Sequence, residues 1–190
     1  MVLKRVTSSL KLSWSIYDSW AELLVGTRFL LDVIESQVCD KIEKVNLLRL
    51  VIISSSQMTE TMLFTQMQKF IDAQSDIVRN LFKYDMSKRI SFSEAGEKWP
   101  KILTGKNLDF SSEPMQSMKS LSKHRNAAIH HSAKYPPIGI GESAFYTAVD
   151  SSKYIYDHFN GDSWDSSEYK KFVDDNKPKS QILLCKALSE

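Results

Sequence analysis

The sequence contains only six glycines and five prolines, too few for the many tight turns of an all-β domain. Its two cysteines, Cys39 and Cys185, fit neither a metal site nor a disulfide framework, so we expect reduced thiols. No window approaches the roughly 20 apolar residues of a membrane span. The first residues also lack the apolar run of a signal peptide. These absences predict a cytoplasmic protein without a membrane segment.

Cofactor-binding patterns are missing as well. The chain has no glycine-rich phosphate loop and no cluster of acids suited to Mg²⁺. His124, His130 and His131 do not have the spacing that places three metal ligands on one helix face. We therefore expect neither a cofactor nor a bound metal. The net charge is only +2, so any contact with RNA must be local.

Helical periodicity dominates what is present. Apolar residues recur at helical spacing from Ile16 to Val38, and a second long helix is predicted from roughly Ile42 to Ala73. Gly26, inside the first helix, predicts a close approach of another helix. Pro100 would remove a backbone donor from a helix over 91–104, so two short helices are expected there, the second beginning at Trp99-Pro100.

Three more helices are predicted in the second half. One is capped by Ser112 and ended by Pro136-Pro137; another runs from about Glu142 to Phe159, and a short one from Ser167 to Asp174. The fold class is therefore all-α. We expect an up-and-down bundle of about five main helices in residues 1–160, with a short C-terminal extension, residues 161–190, packed on or near it.

The segment Lys123-His124-Arg125-Asn126-Ala127-Ala128-Ile129-His130-His131-Ser132 holds three of the four histidines. It lies in the longest stretch without an acid, between Glu113 and Glu142, so its local potential should be positive. Arginine offers a planar, permanently charged fork of donors for a phosphate, and histidine exchanges a proton near neutral pH. We predict that this segment is the functional part of the protein.

The helical period limits how these side chains can cooperate. Arg125 and His130 lie about 140° apart and about 7–8 Å apart along the axis, so they converge only on a ligand held at a cleft edge. Asn126 and His130 share a face, and the Asn126 amide could fix the imidazole tautomer. Glu60 lies at the margin of the apolar face of the second helix. It is either a solvated acid or the partner of Arg125.

The run from Arg125 to His130, with a polar residue directly after the arginine, resembles the Arg–His signature of HEPN domains, small helical proteins that often cleave RNA. The stretch Ile52 to Glu60 is similar to the second HEPN helix, which often carries an acid that contacts the motif arginine. The resemblance implies a helical fold, a homodimer with a composite site, and a role as a toxin or antiviral defence effector. A toxin would have an antitoxin or nucleotidyltransferase partner. Where some HEPN toxins carry a modified tyrosine, this chain has Ser132, and the nearest tyrosine is Tyr135.

The chemistry we expect is RNA cleavage without a metal, by attack of the ribose 2′-hydroxyl on its own phosphate. The candidate catalytic residues are Arg125, His130, Asn126 and Glu60. The candidate RNA-binding residues are Lys119, Lys123, His131 and Lys134. Two alternatives stay open: a catalytically silent HEPN-like module that binds a nucleotide or a protein partner, and a helical adaptor without a ligand.

Overall fold

The structure, a computed structural model, describes residues 18–36, 40–77, 79–80, 91–130 and 139–177. These residues form helices packed together into a bundle, and none of them forms a β-strand, so the predicted all-α class is confirmed. The helices are α1 (Ser19–Glu35), α2 (Lys41–Asp72), α3 (Phe92–Thr104), α4 (Met115–Ile129), α5 (Gly139–Asn160) and α6 (Glu168–Asp175), with a 3-10 turn at Trp164–Ser166.

Helix α2 is the centre of the bundle and packs against α1, α3, α4 and α5. Because it has neighbours on several sides, its buried residues cover more than one apolar stripe, and they include Met58, Met62 and Gln66. Its first turn is held by a capping box, in which Asp40 accepts from the backbone N–H of Glu43 and the Glu43 carboxylate accepts in return. The predicted extent of this helix is confirmed.

Helix α3 corrects the prediction of two short helices over 91–104. It is one helix with Pro100 inside it. The lost backbone donor is tolerated because Trp99 and Pro100 are buried on the face that packs into the bundle. Thr104 also donates its hydroxyl to the Pro100 carbonyl at 2.8 Å. Burial against the bundle therefore outweighs one missing hydrogen bond.

The start of α4 also differs from the prediction. The helix begins at Met115, and Pro114 occupies the N-cap position without a side-chain cap. The Ser112 hydroxyl, predicted to cap this helix, instead donates to Asp109 Oδ2 at 2.8 Å. Asp109 also accepts from the Ser111 hydroxyl at 2.6 Å. The competing carboxylate in the preceding loop therefore takes the hydroxyl that would have capped the helix.

The described part of the C-terminal extension packs on the bundle through aromatic rings. Helix α5 ends at Asn160 and is followed by Gly161, whose φ of 68° favours glycine. Beyond it, the Trp164 and Tyr169 rings stack with an interplanar angle of 9°, and both meet Trp20 edge to face. Trp20 also donates its indole N–H to Ser152 at 2.9 Å. Residues 161–177 are thus tied to both α1 and α5.

Several predictions fall outside the described residues: the ends of the first helix at Ile16 and Val38, the Pro136-Pro137 turn, and residues 178–190 with Cys185. Within the described ranges, no helix is both long enough and apolar enough to cross a membrane.

Candidate functional site

Helix α4 presents Arg125 to the centre of the bundle. Its buried face consists of Met115, Met118 and Leu121, which follow one another at three-residue spacing. Arg125 lies four residues after Leu121, so its side chain leaves the helix on the same side. That side faces α2, with which α4 is in contact.

Arg125 and Glu60 form an ion pair between α4 and α2. Arg125 Nη2 donates to Glu60 Oε1 at 2.7 Å, and the two side chains are 26% and 23% exposed. Burial raises the pKa of the Glu60 carboxyl above its ordinary value, while the neighbouring guanidinium acts in the opposite direction. Of the two alternatives for Glu60, the structure shows the one in which it contacts Arg125. Its role in a site stays a prediction.

A second, exposed face of α4 carries Lys119, Lys123, Asn126 and His130 at spacings of four, three and four residues. His130 caps the helix and donates its backbone N–H to the Asn126 carbonyl at 3.1 Å. The two side chains share this face, yet no hydrogen bond joins the amide to the imidazole among the described residues. His124 is exposed as well. His131 and Lys134 lie outside the described residues, as do Ser132 and Tyr135.

Arg125 and His130 do not meet within one chain. Arg125 turns towards α2, whereas His130 is exposed at the end of α4, as their angular separation of about 140° requires. No hydrogen bond or ion pair between them occurs in the part of the chain that the structure describes. A ligand that touches both must therefore reach around the end of α4, or be shared with another copy of the chain.

Glu60 also borders a groove between α1 and α2, which we call the α1–α2 groove. Its volume is about 870 Å³, and its walls include Gly26, Phe29 and Leu30 from α1 and Gln57 and Thr61 from α2. Gly26 corrects a prediction, because a Cβ atom placed there would meet nothing within 4 Å. Gly26 therefore borders open space in the groove and is not packed closely against another helix. Neither Phe29 nor Gln57 was predicted as a site residue, since each has the appearance of an ordinary surface residue.

A separate polar cleft of about 610 Å³ lies between α5 and the loop before α4. It contains His158, the one histidine outside the motif segment, whose Nε2 lies 2.9 Å from Thr104 Oγ1. Burial, together with Lys106, lowers the pKa of the imidazole. On the same helix, burial raises the pKa of Asp150 against the opposing effect of Lys153. The spacing of these residues along α5 carries no motif that could have predicted the cleft.

Among the described residues, no three or more His, Cys, Asp or Glu side chains are grouped so that they could hold a metal ion. Comparison of the chain with protein-family models, with curated proteins and with solved structures finds no match. The assignment of a function therefore depends on the geometry of this chain and on the motif itself.

Proposed function

We propose that this protein is a metal-independent endoribonuclease of the HEPN type that acts as a toxin or antiviral defence effector. The observation that carries the proposal is the Glu60–Arg125 ion pair at 2.7 Å, which fixes the motif arginine beside the exposed basic face of α4. A carboxylate that holds a guanidinium in place makes its other donors available in a defined direction. Lys119 and Lys123, both exposed on α4, attract the RNA backbone to the same helix.

The reaction needs proton transfer and charge stabilisation. A base removes the proton of the ribose 2′-hydroxyl, and the 2′-oxygen attacks the adjacent phosphorus. The bond from phosphorus to the 5′-oxygen then breaks, and an acid protonates that oxygen. The products are a 2′,3′-cyclic phosphate and a 5′-hydroxyl. His130 is assigned to proton transfer, and Arg125 to the negative charge that builds on the phosphorane.

A homodimer completes this site. One imidazole cannot easily act as acid and base in the same step, and Arg125 and His130 of one chain point in different directions. Two copies that face each other across a two-fold axis would bring two histidines and two arginines to one cleft. Asn126, on the same exposed face as His130, is positioned to bind either the imidazole or the RNA.

The second candidate is a catalytically silent helical module that binds a nucleotide or a protein partner. The same ion pair also supports this candidate. Arg125 is only 26% exposed and is already paired with Glu60, as expected of an arginine whose role is to hold two helices together. The two candidates differ in whether RNA is cut.

The deciding experiment incubates the purified protein with single-stranded RNA in EDTA and compares it with Arg125→Ala and His130→Ala. The matched controls are Arg28→Ala and His124→Ala. Arg28 is also 26% exposed and paired with an acid, Asp32, and His124 is exposed on the same helix as His130. We expect cleavage by the wild type and both controls, and none by the two motif variants. Cleavage that requires a divalent metal, or that survives both motif substitutions, would exclude the mechanism or the residues respectively. A wild type that binds RNA without cutting it would support the silent module.

A further inference from the structure

The α1–α2 groove adjoins Glu60 and therefore the proposed catalytic pair. Its walls come from consecutive helices joined by the short segment 36–40, which makes them antiparallel neighbours. The α1 wall extends from Ser19 to Leu30, so the groove is about 17 Å long at 1.5 Å per residue. Its volume of about 870 Å³ is within the range of small-molecule pockets. It is open along its length and can hold part of a larger ligand.

The charges of the described groove residues disfavour a phosphate as its occupant. Among the described residues that line it there is no lysine or arginine, while Glu22 and Glu60 both line it. A phosphodiester placed there would lie beside these carboxylates, with no cation from the described lining to pair with. The cations assigned to the RNA backbone, Lys119, Lys123 and Arg125, are on α4 instead. The RNA backbone and whatever fills the groove therefore need different surfaces, and Glu60 lies where the two surfaces meet.

The uncharged side chains of the groove suit a flat ring with polar edges. Phe29 is 59% exposed on the α1 wall, and Phe64 lines the α2 wall. The α2 wall also contributes the neutral donors and acceptors Ser54, Gln57, Thr61 and Thr65. An aromatic face together with amide and hydroxyl groups is the combination that binds unpaired bases of RNA by stacking and by hydrogen bonds to their edges.

We propose that the α1–α2 groove binds one unpaired base of the RNA substrate, next to the phosphate held by Arg125. This inference rests on the proposed function for its choice of ligand. It assigns the backbone to α4 and the base to the groove, and it makes Phe29 and Gln57 determinants of which sequences are bound. Base recognition by this groove favours cleavage of single-stranded RNA, because a paired base must first be unpaired and unstacked before it can enter the groove.

Gly26 makes the proposal testable without unfolding the protein. Gly26→Leu fills the groove, and the new Cβ meets nothing within 4 Å. Gly26→Ala is the milder variant for comparison, since it adds only a methyl group to the same wall of the groove. Phe29→Ala removes the stacking ring, and Ile102→Ala, at a side chain 60% exposed on α3, controls for the loss of an exposed apolar group. The probe is a fluorescein-labelled single-stranded RNA that is 2′-O-methylated and so cannot be cleaved. Affinity is read by fluorescence anisotropy.

We expect Gly26→Leu and Phe29→Ala each to weaken binding about tenfold, Gly26→Ala to weaken it less than Gly26→Leu, and the Ile102→Ala control to leave it unchanged. The weakening should not alter the salt dependence of binding, whereas Lys123→Ala should reduce the slope of log affinity against log salt by about 0.7. A set of RNAs with an abasic residue at each position in turn gives a sharper test. At one position, the abasic residue should weaken binding to the wild type about tenfold. It should not weaken binding to the Phe29→Ala variant any further.

The outcomes separate this inference from the enzymatic proposal. If the wild type cuts RNA and the groove variants bind and cut it equally well, base binding by the groove is wrong and the enzymatic proposal is unaffected. If the wild type binds RNA through the groove but never cuts it, base binding is supported and the enzymatic proposal is wrong. If Phe29→Ala and an abasic residue each weaken binding and the two losses multiply when they are combined, the base does not contact Phe29. That result would overturn base binding by the groove. A change of molar mass for Gly26→Leu in light scattering would overturn it too, because it would make the groove a contact between copies of the chain.

Discussion

Replacing Arg125 by methionine tests the electrostatics of the Glu60–Arg125 pair. Methionine keeps much of the length of the side chain but leaves the Glu60 carboxylate half-buried without its partner. An exposed ion pair contributes about 0–1 kcal/mol, while removing one partner of a buried pair costs about 3–5 kcal/mol. With exposures of 26% and 23%, this pair lies between those limits. We expect Arg125→Met to lower the free energy of unfolding by about 2 kcal/mol at neutral pH.

The same substitution should make stability depend more strongly on pH. Burial raises the pKa of Glu60 above 4.5. The stability that this group adds to the folded state is therefore fully present below that pH, and it is lost as the pH rises through the pKa of the folded state. Without the guanidinium the pKa rises further, and the loss at neutral pH becomes larger. The cost of Arg125→Met should therefore be small below about pH 4.5 and should grow towards neutrality.

Urea denaturation followed by circular dichroism measures both effects. Glu60→Gln and the double variant Glu60→Gln/Arg125→Met complete a mutant cycle, for which we expect a coupling of about 1–2 kcal/mol at neutral pH. The double variant should lose the additional pH dependence caused by Arg125→Met, because no carboxylate remains at position 60 to titrate. An equal cost of Arg125→Met at acid and at neutral pH, or single costs that simply add, would contradict this electrostatic coupling.

Other predictions concern packing and two further titrating groups. Gly141→Ala should lower the free energy of unfolding by about 1–3 kcal/mol, because its Cβ would lie 2.6 Å from Cδ2 of the buried Leu48. Gly26→Ala should raise it by about 0.5–1 kcal/mol in the same urea denaturation assay, and equal effects of the two glycine substitutions would contradict the packing at Gly141. The lowered pKa of His158 predicts that stability is lost as the pH falls below 6.5, and His158→Gln should reduce this loss. An imidazole that titrates at or above pH 6.5 by NMR would contradict this prediction. Burial raises the pKa of Tyr169 above 10.0, so its phenol should resist ionisation in an ultraviolet titration. Stability should decline above that pH, because the phenol ionises in the unfolded chain first. Titration of this phenol at its ordinary pKa would refute its burial.

The extent of α2 could be predicted because its apolar residues recur over many turns and local interactions agree with them. Asp40 caps its first turn, and neither glycine nor proline occurs within it. The single helix α3 could not be predicted in this way. Its proline is unfavourable locally, and only the burial of Trp99 and Pro100 against other helices compensates for it. Tertiary packing of this kind leaves no signal in the spacing of residues.

The candidate site divides along the same line. Local helical spacing placed Asn126 and His130 on one face of α4, because one helix alone determines that relation. The contact of Glu60 with Arg125 joins residues 65 positions apart, and spacing could only leave it as one of two alternatives. The α1–α2 groove is lined by residues of two helices, so the spacing within either helix alone does not predict it.

The most direct test of the central claim is the chemical identity of the new 3′ end when the purified protein cuts RNA in EDTA. Mass spectrometry of the fragments should show a 2′,3′-cyclic phosphate with the wild type and no fragment with His130→Ala. A 3′-hydroxyl end, or fragments that form only after Mg²⁺ is added, would contradict cleavage by Arg125 and His130 through the 2′-hydroxyl.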